Sequence, residues 1–183
     1  ITENRCGLCA QICEKNAINY QQKAEIIEIK ADAIIFAAGY EAFQGNIIDE
    51  YGYSKYDNVI TSLEYERILN ASGPTEGELK RPSDDKDIKS IAFIHCVGSR
   101  DYRIDRNYCS SVCCMYSLKQ SLLTKEHNDN VNIELYFMDI RSFGKGFEKY
   151  YNMTLEKEGI NFQRSRAVEI EETTANKDVI LKT

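Results

Sequence analysis

The sequence predicts an α/β fold built on a parallel sheet. Three observations point there: strand-length apolar runs at residues 33–38, 91–94 and 133–140, helix-periodic segments after the later two runs, and glycines where elements should stop. Elements that alternate strand, helix, strand, helix, strand from residue 90 onward join through right-handed crossovers into a parallel sheet.

Residues 6–18 read CGLCAQICEKNAI, a turn-rich cysteine loop running into a short apolar stretch. Residues 24–37 alternate and then become solidly apolar, with Ile26, Ile27 and Ile29 followed by Ala33-Ile34-Ile35-Phe36-Ala37. That pattern predicts two strands, the second buried on both faces and ended by Ala38-Gly39. Residues 40–57, rich in Gly, Tyr and Asn, form an ordered loop. Thr61-Ser62-Leu63-Glu64 then opens a helix: Thr61 or Ser62 caps it, Glu64 lies in the first turn, and Leu63, Ile68 and Leu69 supply its apolar contacts. Residues 72–89 hold both prolines and many charges, which predicts a surface loop.

Residues 90–96 read as a buried strand and Val97-Gly98-Ser99-Arg100-Asp101 as a tight connection. Residues 109–127 form a helix with Val112, Met115, Leu118 and Leu122 facing inward. A second strand at 133–140 precedes Phe143-Gly144-Lys145-Gly146, which lacks phosphate-loop spacing and is a hinge-like turn. Residues 147–158 are helical, Gly159 stops them, and Ile160-Asn161-Phe162 starts a third strand.

With 183 residues the chain can hold one good core, or one domain plus part of another, and an initial Ile close to a cysteine motif favours a piece of a longer polypeptide. No signal peptide is recognisable, and runs such as residues 33–38 are far too short to cross a bilayer, so a soluble protein without a membrane span is expected. The net charge of −6, with 29 acidic and 23 basic residues and no long basic stretch, argues against nucleic acid as a partner. Seven cysteines, an odd number confined to residues 6–13 and 96–114, do not suit a secreted disulfide framework. They point to metal ligation in a reducing, cytoplasmic compartment.

Cys96, Cys109, Cys113 and Cys114 lie within nineteen residues, directly after an apolar strand. Thiolates are soft ligands for iron-sulfur clusters and zinc. One ligand leaves a strand end and three come from the start of the next helix, whose positive N-terminus stabilises thiolate. Adjacent cysteines suit a cubane better than one small tetrahedral ion, so a cluster is favoured, with zinc and small buried core cysteines as the competing readings. Cys6-x2-Cys9-x3-Cys13 matches the last three cysteines of a ferredoxin run, with Glu3 at the first position and Glu14 where proline would follow; it is a second cluster candidate lacking one ligand. Lys119, on the predicted helix, is by itself a solvated lysine, and Glu64 and Glu66 are first-turn acids serving a helix dipole. His95 and His127 have no mutual spacing that supports metal binding.

Taken together, CGLCAQIC, EIIEIKADAIIFAAGYEAF, the segment YGYSKYDNVITSLEYERILNASGPT, IAFIHCVGSRD, YCSSVCCMYSLKQ and YFMDIRSFGKGFEKYY resemble the A-type iron-sulfur subunits of heterodisulfide reductase, a family of flavin and iron-sulfur proteins of anaerobic archaea and bacteria. The resemblance implies a Rossmann-like, thioredoxin-reductase-like parallel sheet with a partial ferredoxin-like segment at the N-terminus. Residues 1–22 would be the iron-sulfur segment, and residues 23–183 part of an FAD domain whose subdomain at about 88–165 carries a cluster in place of a nicotinamide site. It implies a [4Fe-4S] cluster on Cys96, Cys109, Cys113 and Cys114 and FAD near Ala38, Gly39 and Tyr40, in a strand end similar to the ATG motif of flavoproteins. Lys119 would lie beside the flavin, and Glu66, ahead of Glu64, would approach its ring. The implied activity is electron transfer between FAD and clusters, as in flavin-based bifurcation. The implied partners are B- and C-like subunits, a hydrogenase or formate dehydrogenase module, ferredoxin and the remainder of the polypeptide. A non-catalytic relay or scaffold protein and a zinc-stabilised binding module are the alternative classes. The GxGxxG half of the flavin domain is not within these residues, so tight FAD binding to this chain alone is not expected.

Overall fold

A computed structural model describes residues 7–183, and these fall into two units, the first ending at Tyr40 and the second running Glu41–Thr183. In the first unit the cysteine loop forms one short helix, α1 (Leu8–Ile12), closed by the Cys13 N–H on the Cys9 carbonyl at 3.1 Å. The two strands expected across residues 24–37 do not form: Ile26 is 96% exposed, Ile35 92% and Phe36 89%. A strand needs a neighbouring ladder for its backbone groups and a surface to cover its side chains, and no described residue supplies either here.

The second unit opens with two 3-10 turns, Gly45–Ile47 and Asp49–Tyr51, within the expected ordered loop. Next comes α2 (Ser62–Leu69), with a capping box: the Glu64 N–H donates to Thr61 Oγ1 at 3.3 Å and the Thr61 N–H to Glu64 Oε2 at 2.6 Å. The helix buries Tyr65, Ile68 and Leu69, while Leu63 is 49% exposed and is not the expected inward contact. Two positions before Tyr65 is about 200° around the helix, the solvent side.

The alternation after residue 90 yields β1 (Ser90–Ile94), α3 (Cys113–His127), β2 (Asn132–Tyr136), α4 (Phe147–Leu155) and β3 (Ile160–Gln163). The strands pair in parallel in the order β1-β2-β3, with Ile91 opposite Ile133 and Leu135 opposite Phe162. Ile133 and Leu135 in the middle strand are fully buried; β1, expected to be buried, is an edge of this sheet and only partly covered. Leu118 joins them from α3, with Tyr65 and Ile68 from α2, in one apolar core.

The helix expected from residue 109 starts at Cys113 instead. Residues 100–108 are held as a tight turn by the Asp101↔Arg106 antiparallel bridge and an Arg100 N–H to Tyr108 carbonyl bond of 2.9 Å, so Cys109 stays in a loop. Val112 becomes the N-cap and is exposed, while Met115 and Leu122 pack against the core as expected. Asp101, 3% exposed, accepts from Arg103 at 2.8 Å and from Arg166 at 2.8 Å, tying this turn to the segment after β3. Gly159 takes the left-handed conformation predicted of a stop, with φ 75. Beyond the predicted elements, β4 (Glu169–Glu172) and β5 (Val179–Lys182) form an antiparallel pair, and Ile170 packs with Ile48, Tyr51 and Ala167 in a second cluster.

The buried side of α3 is largely polar. Ser117, Gln120, Ser121 and Thr124 are all buried; Thr124 Oγ1 lies 2.6 Å from the Tyr65 hydroxyl and Gln120 Nε2 donates to the Ser62 carbonyl at 2.9 Å. The paired hydroxyls and the Gln120 Nε2 group avoid the cost of desolvation without a partner, while Gln120 Oε1 is buried with none among the described residues. Among the described residues no helix is long and apolar enough to cross a membrane.

Leu118→Ala, at a side chain 0% exposed, is expected to cost about 2–5 kcal/mol in urea unfolding followed by circular dichroism. Leu63→Ala on the exposed face should change stability by no more than about 0.5 kcal/mol. Burial pushes the Tyr65 phenol up to about 12, with the Thr124 hydrogen bond opposing. Folding therefore favours the neutral phenol, a contribution present in full below the unfolded tyrosine value near ~10 and lost as pH rises through the folded one. Alkaline titration of phenolate absorbance should show that Tyr65→Phe removes a component ionising near 12.

Candidate metal centre

The centre is assembled where β1 ends and α3 begins. The His95 N–H extends the ladder to the Tyr136 carbonyl at 3.0 Å, and the chain then turns through Cys96 at φ 60 and Gly98 at φ 72. A Cβ at Gly98 would lie 2.1 Å from the Phe43 ring, so that position must be glycine for both backbone and space. Returning from the 100–108 turn, the chain enters α3 at Cys113 and Cys114, which are 7% and 5% exposed. Val112 supplies no capping side chain, which leaves the first-turn N–H groups of a fifteen-residue helix directed at the sulfurs' end.

Cys113 is the hub. Hydrogen bonds from the Cys114 and Cys96 thiols hold its pKa well below the usual thiol range, against burial, and the Cys96 backbone contributes another. The same bonds to Cys113, together with burial, push Cys96 and Cys114 up. These thiols thus oppose one another's ionisation; ionising all of them in so small a volume calls for a cation among them. Every described cysteine is a free thiol. The Arg141 N–H donates to Cys114 Sγ at 3.4 Å, the kind of backbone donor an anionic sulfur needs.

Three sequence-predicted ligands, Cys96, Cys113 and Cys114, are therefore brought together, a soft-donor set that could hold an iron-sulfur cluster or zinc. Cys109 is half-buried in the preceding loop, where its sulfur accepts from the Ser111 N–H at 3.3 Å. It is not joined to the other three, because it precedes the helix instead of riding on it. In the first unit, Cys9 is exposed on α1, and Cys13 Sγ accepts from the Ala17 N–H at 3.4 Å. Cys6 lies outside the described residues. Ala38, Gly39 and Tyr40 end that unit in irregular, exposed chain, with Gly39 at φ 75 and Tyr40 69% exposed.

Lys119 and Glu66, predicted from separate segments, form one ion pair of 2.5 Å between α3 and α2. Gln120 Nε2 adds a second donor to Glu66 at 3.0 Å, and together Lys119 and Gln120 hold the Glu66 carboxyl below the usual range. Glu64 is occupied elsewhere, in the capping box and with the Tyr53 hydroxyl at 3.2 Å.

The structure also places at the centre residues to which motif and spacing assign no role. The ligand atoms of His95, Cys113 and Cys114 lie within 4.8 Å of one another. His95 Nε2 is 2.7 Å from Ser117 Oγ, which donates to the Cys114 carbonyl at 2.9 Å, and burial lowers the His95 pKa, favouring neutral imidazole. Arg100 Nη1 donates to Asp139 Oδ1 at 2.5 Å, and Arg141 Nε to the same oxygen at 3.3 Å. The one signal for them in the sequence is adjacency: His95 precedes a ligand, and Arg100 closes the turn that follows it.

No family model matches the chain. Curated proteins do. The chain is 47% identical over 178 residues to the CoB–CoM heterodisulfide reductase A-type iron-sulfur subunit of Methanocaldococcus jannaschii, a match covering 97% of this chain and 27% of that protein. It is 52% identical over 165 residues to the A-type subunit of the H(2):CoB-CoM heterodisulfide,ferredoxin reductase of Methanothermobacter thermautotrophicus, covering 90% of this chain and 25% of that protein. Identity to the A-type subunit of the ferredoxin/F(420)H(2)-dependent CoB-CoM heterodisulfide reductase of Methanosarcina acetivorans is 44% over 165 residues, covering 90% and 21%. The chain thus spans about a quarter of the length of the relatives it matches. Over at least nine-tenths of its own length, the sequence belongs to the family of A-type iron-sulfur subunits of heterodisulfide reductase.

Proposed function

We propose that this chain is the cluster-bearing part of an oxidoreductase subunit of heterodisulfide reductase type, which passes electrons between FAD and [4Fe-4S] clusters in the manner of flavin-based bifurcation. The convergence of the Cys96, Cys113 and Cys114 sulfurs at the N-terminus of α3 carries the reading. Cys109 completes the set from the loop just before the helix, and a ferredoxin-type site uses Cys6, Cys9 and Cys13 within residues 1–22. Residues 23–183 belong to the flavin domain, with the cluster-binding subdomain at about 88–165.

A bound cubane would supply one-electron capacity at low potential, and FAD would supply the two-electron exchange. The chain's own residues provide the setting. The positive end of α3 and the Arg141 N–H offset negative charge on sulfur, and the partly buried pocket restricts water. Ala38, Gly39 and Tyr40 would receive the dinucleotide backbone, where small side chains permit close approach. Lys119, oriented by Glu66, would place an ammonium beside the flavin ring and favour its anionic form. The names of relatives that mention hydrogen, formate or ferredoxin support partners of those classes; B- and C-like subunits and the remainder of the polypeptide would join them, in the cytoplasm.

Anaerobic reconstitution with iron and sulfide, followed by iron analysis and EPR after reduction, should yield a cubane signal, and Cys96→Ser or Cys113→Ser should remove one cluster's share of both the iron and the signal. A preparation with intact thiols that takes up no iron would overturn the proposal. In the full-length protein, Lys119→Met is expected to move the flavin midpoint potential to a more negative value while iron content stays unchanged.

A further inference from the structure

We infer that Arg100, anchored by Asp139, is a potential-setting residue of the centre at Cys96, Cys113 and Cys114, supplying positive charge beside the Cys96 sulfur that favours uptake of an electron. The inference rests on the cluster reading above and adds to it a named electrostatic control.

Arg100 sits four positions after Cys96, in the same turn, and its backbone takes φ 54. Left-handed geometry is costly for a non-glycine residue, and here two residues of one turn, Cys96 and Arg100, adopt it. The Arg100 N–H is fixed to the Tyr108 carbonyl at 2.9 Å, and its guanidinium reaches across to Asp139 Oδ1 at 2.5 Å with its side chain 23% exposed. Charge coupling between this guanidinium and the Cys96 sulfur favours the charged form of each.

Asp139 also borders the centre. Its carbonyl lies 3.9 Å from Cys114 Sγ, and the next residue but one donates its N–H to that sulfur. Arg100 and Arg141 share the single Asp139 carboxylate, so the triad keeps one net positive charge next to the sulfurs. The carboxylate aims the guanidinium groups without neutralising both. Reduction of a cluster held by thiolates adds one negative charge, and a nearby fixed cation in a partly desolvated pocket stabilises that state more than the oxidised one.

The test is an EPR-monitored potentiometric titration of the anaerobically purified full-length protein. Arg100→Gln should lower the reduced-to-oxidised ratio of this cluster about tenfold at a fixed potential, about 59 mV more negative for one electron, with iron content unchanged. Arg100→Lys should recover most of the shift. Asp139→Asn, which keeps the arginine and removes the opposing charge, should move the potential the other way, and this variant decides the matter if Arg100→Gln loses its iron. A loaded cluster whose potential is unmoved in Arg100→Gln, or an Asp139→Asn shift that is absent or negative, overturns the role of Arg100 alone. An unmutated protein without a cluster on these cysteines overturns the site reading instead.

Discussion

Sulfur atoms packed within hydrogen-bonding reach of one another cannot all carry charge in a pocket partly closed to water unless a cation shares the space. The second unit is arranged around that constraint. A parallel sheet sends the ends of β1 and β2 to the same edge at which α3 starts, so a residue leaving one strand, the first turn of a helix and the loop after the next strand all meet. Cys96, Cys113 with Cys114, and the 139–141 segment are those three contributions. The left-handed turn at Cys96 and the glycine at 98 under the Phe43 ring are what the backbone needs in order to deliver the first of them.

How much of this is legible in the sequence depends on the range of the forces involved. The middle strand announces itself through Ile133 and Leu135, and Thr61 with Glu64 announces a helix start, because alternation and capping are local. Cysteine spacing likewise singles out Cys96, Cys113 and Cys114, which the fold gathers, together with Cys109, which it leaves in a loop. The start of α3 is not legible, because a bridge between Asp101 and Arg106 holds the chain in a turn and nothing in the residues around Cys109 reports that. The run at 24–37 has the composition of a strand, yet composition cannot supply a ladder, and its isoleucines stand exposed. His95 and Arg100 are marked in the sequence by adjacency to a cysteine and its turn alone, since their side-chain partners Ser117 and Asp139 lie 22 and 39 positions away. The pairing of Lys119 with Glu66, 53 positions apart, is likewise a matter of tertiary packing; family resemblance names each, and only the fold shows them as one unit.

The helix that carries two of the sulfurs is surrounded on its buried side by hydroxyl and amide groups. Apolar ridges tolerate sliding, because dispersion contacts are non-directional. The hydrogen bonds between Thr124 and Tyr65, Gln120 and Ser62, and Ser117 and His95 do not, since each has one geometry. They work as keys in slots along the barrel of α3, indexing its rotation. A twist by one residue, about 100°, would break all of them at once and swing the tip of the cylinder away from the strand end. The polar interior thus locks the azimuth at which the sulfurs are presented, and chemistry at one end of the rod is set by fastenings along its whole length.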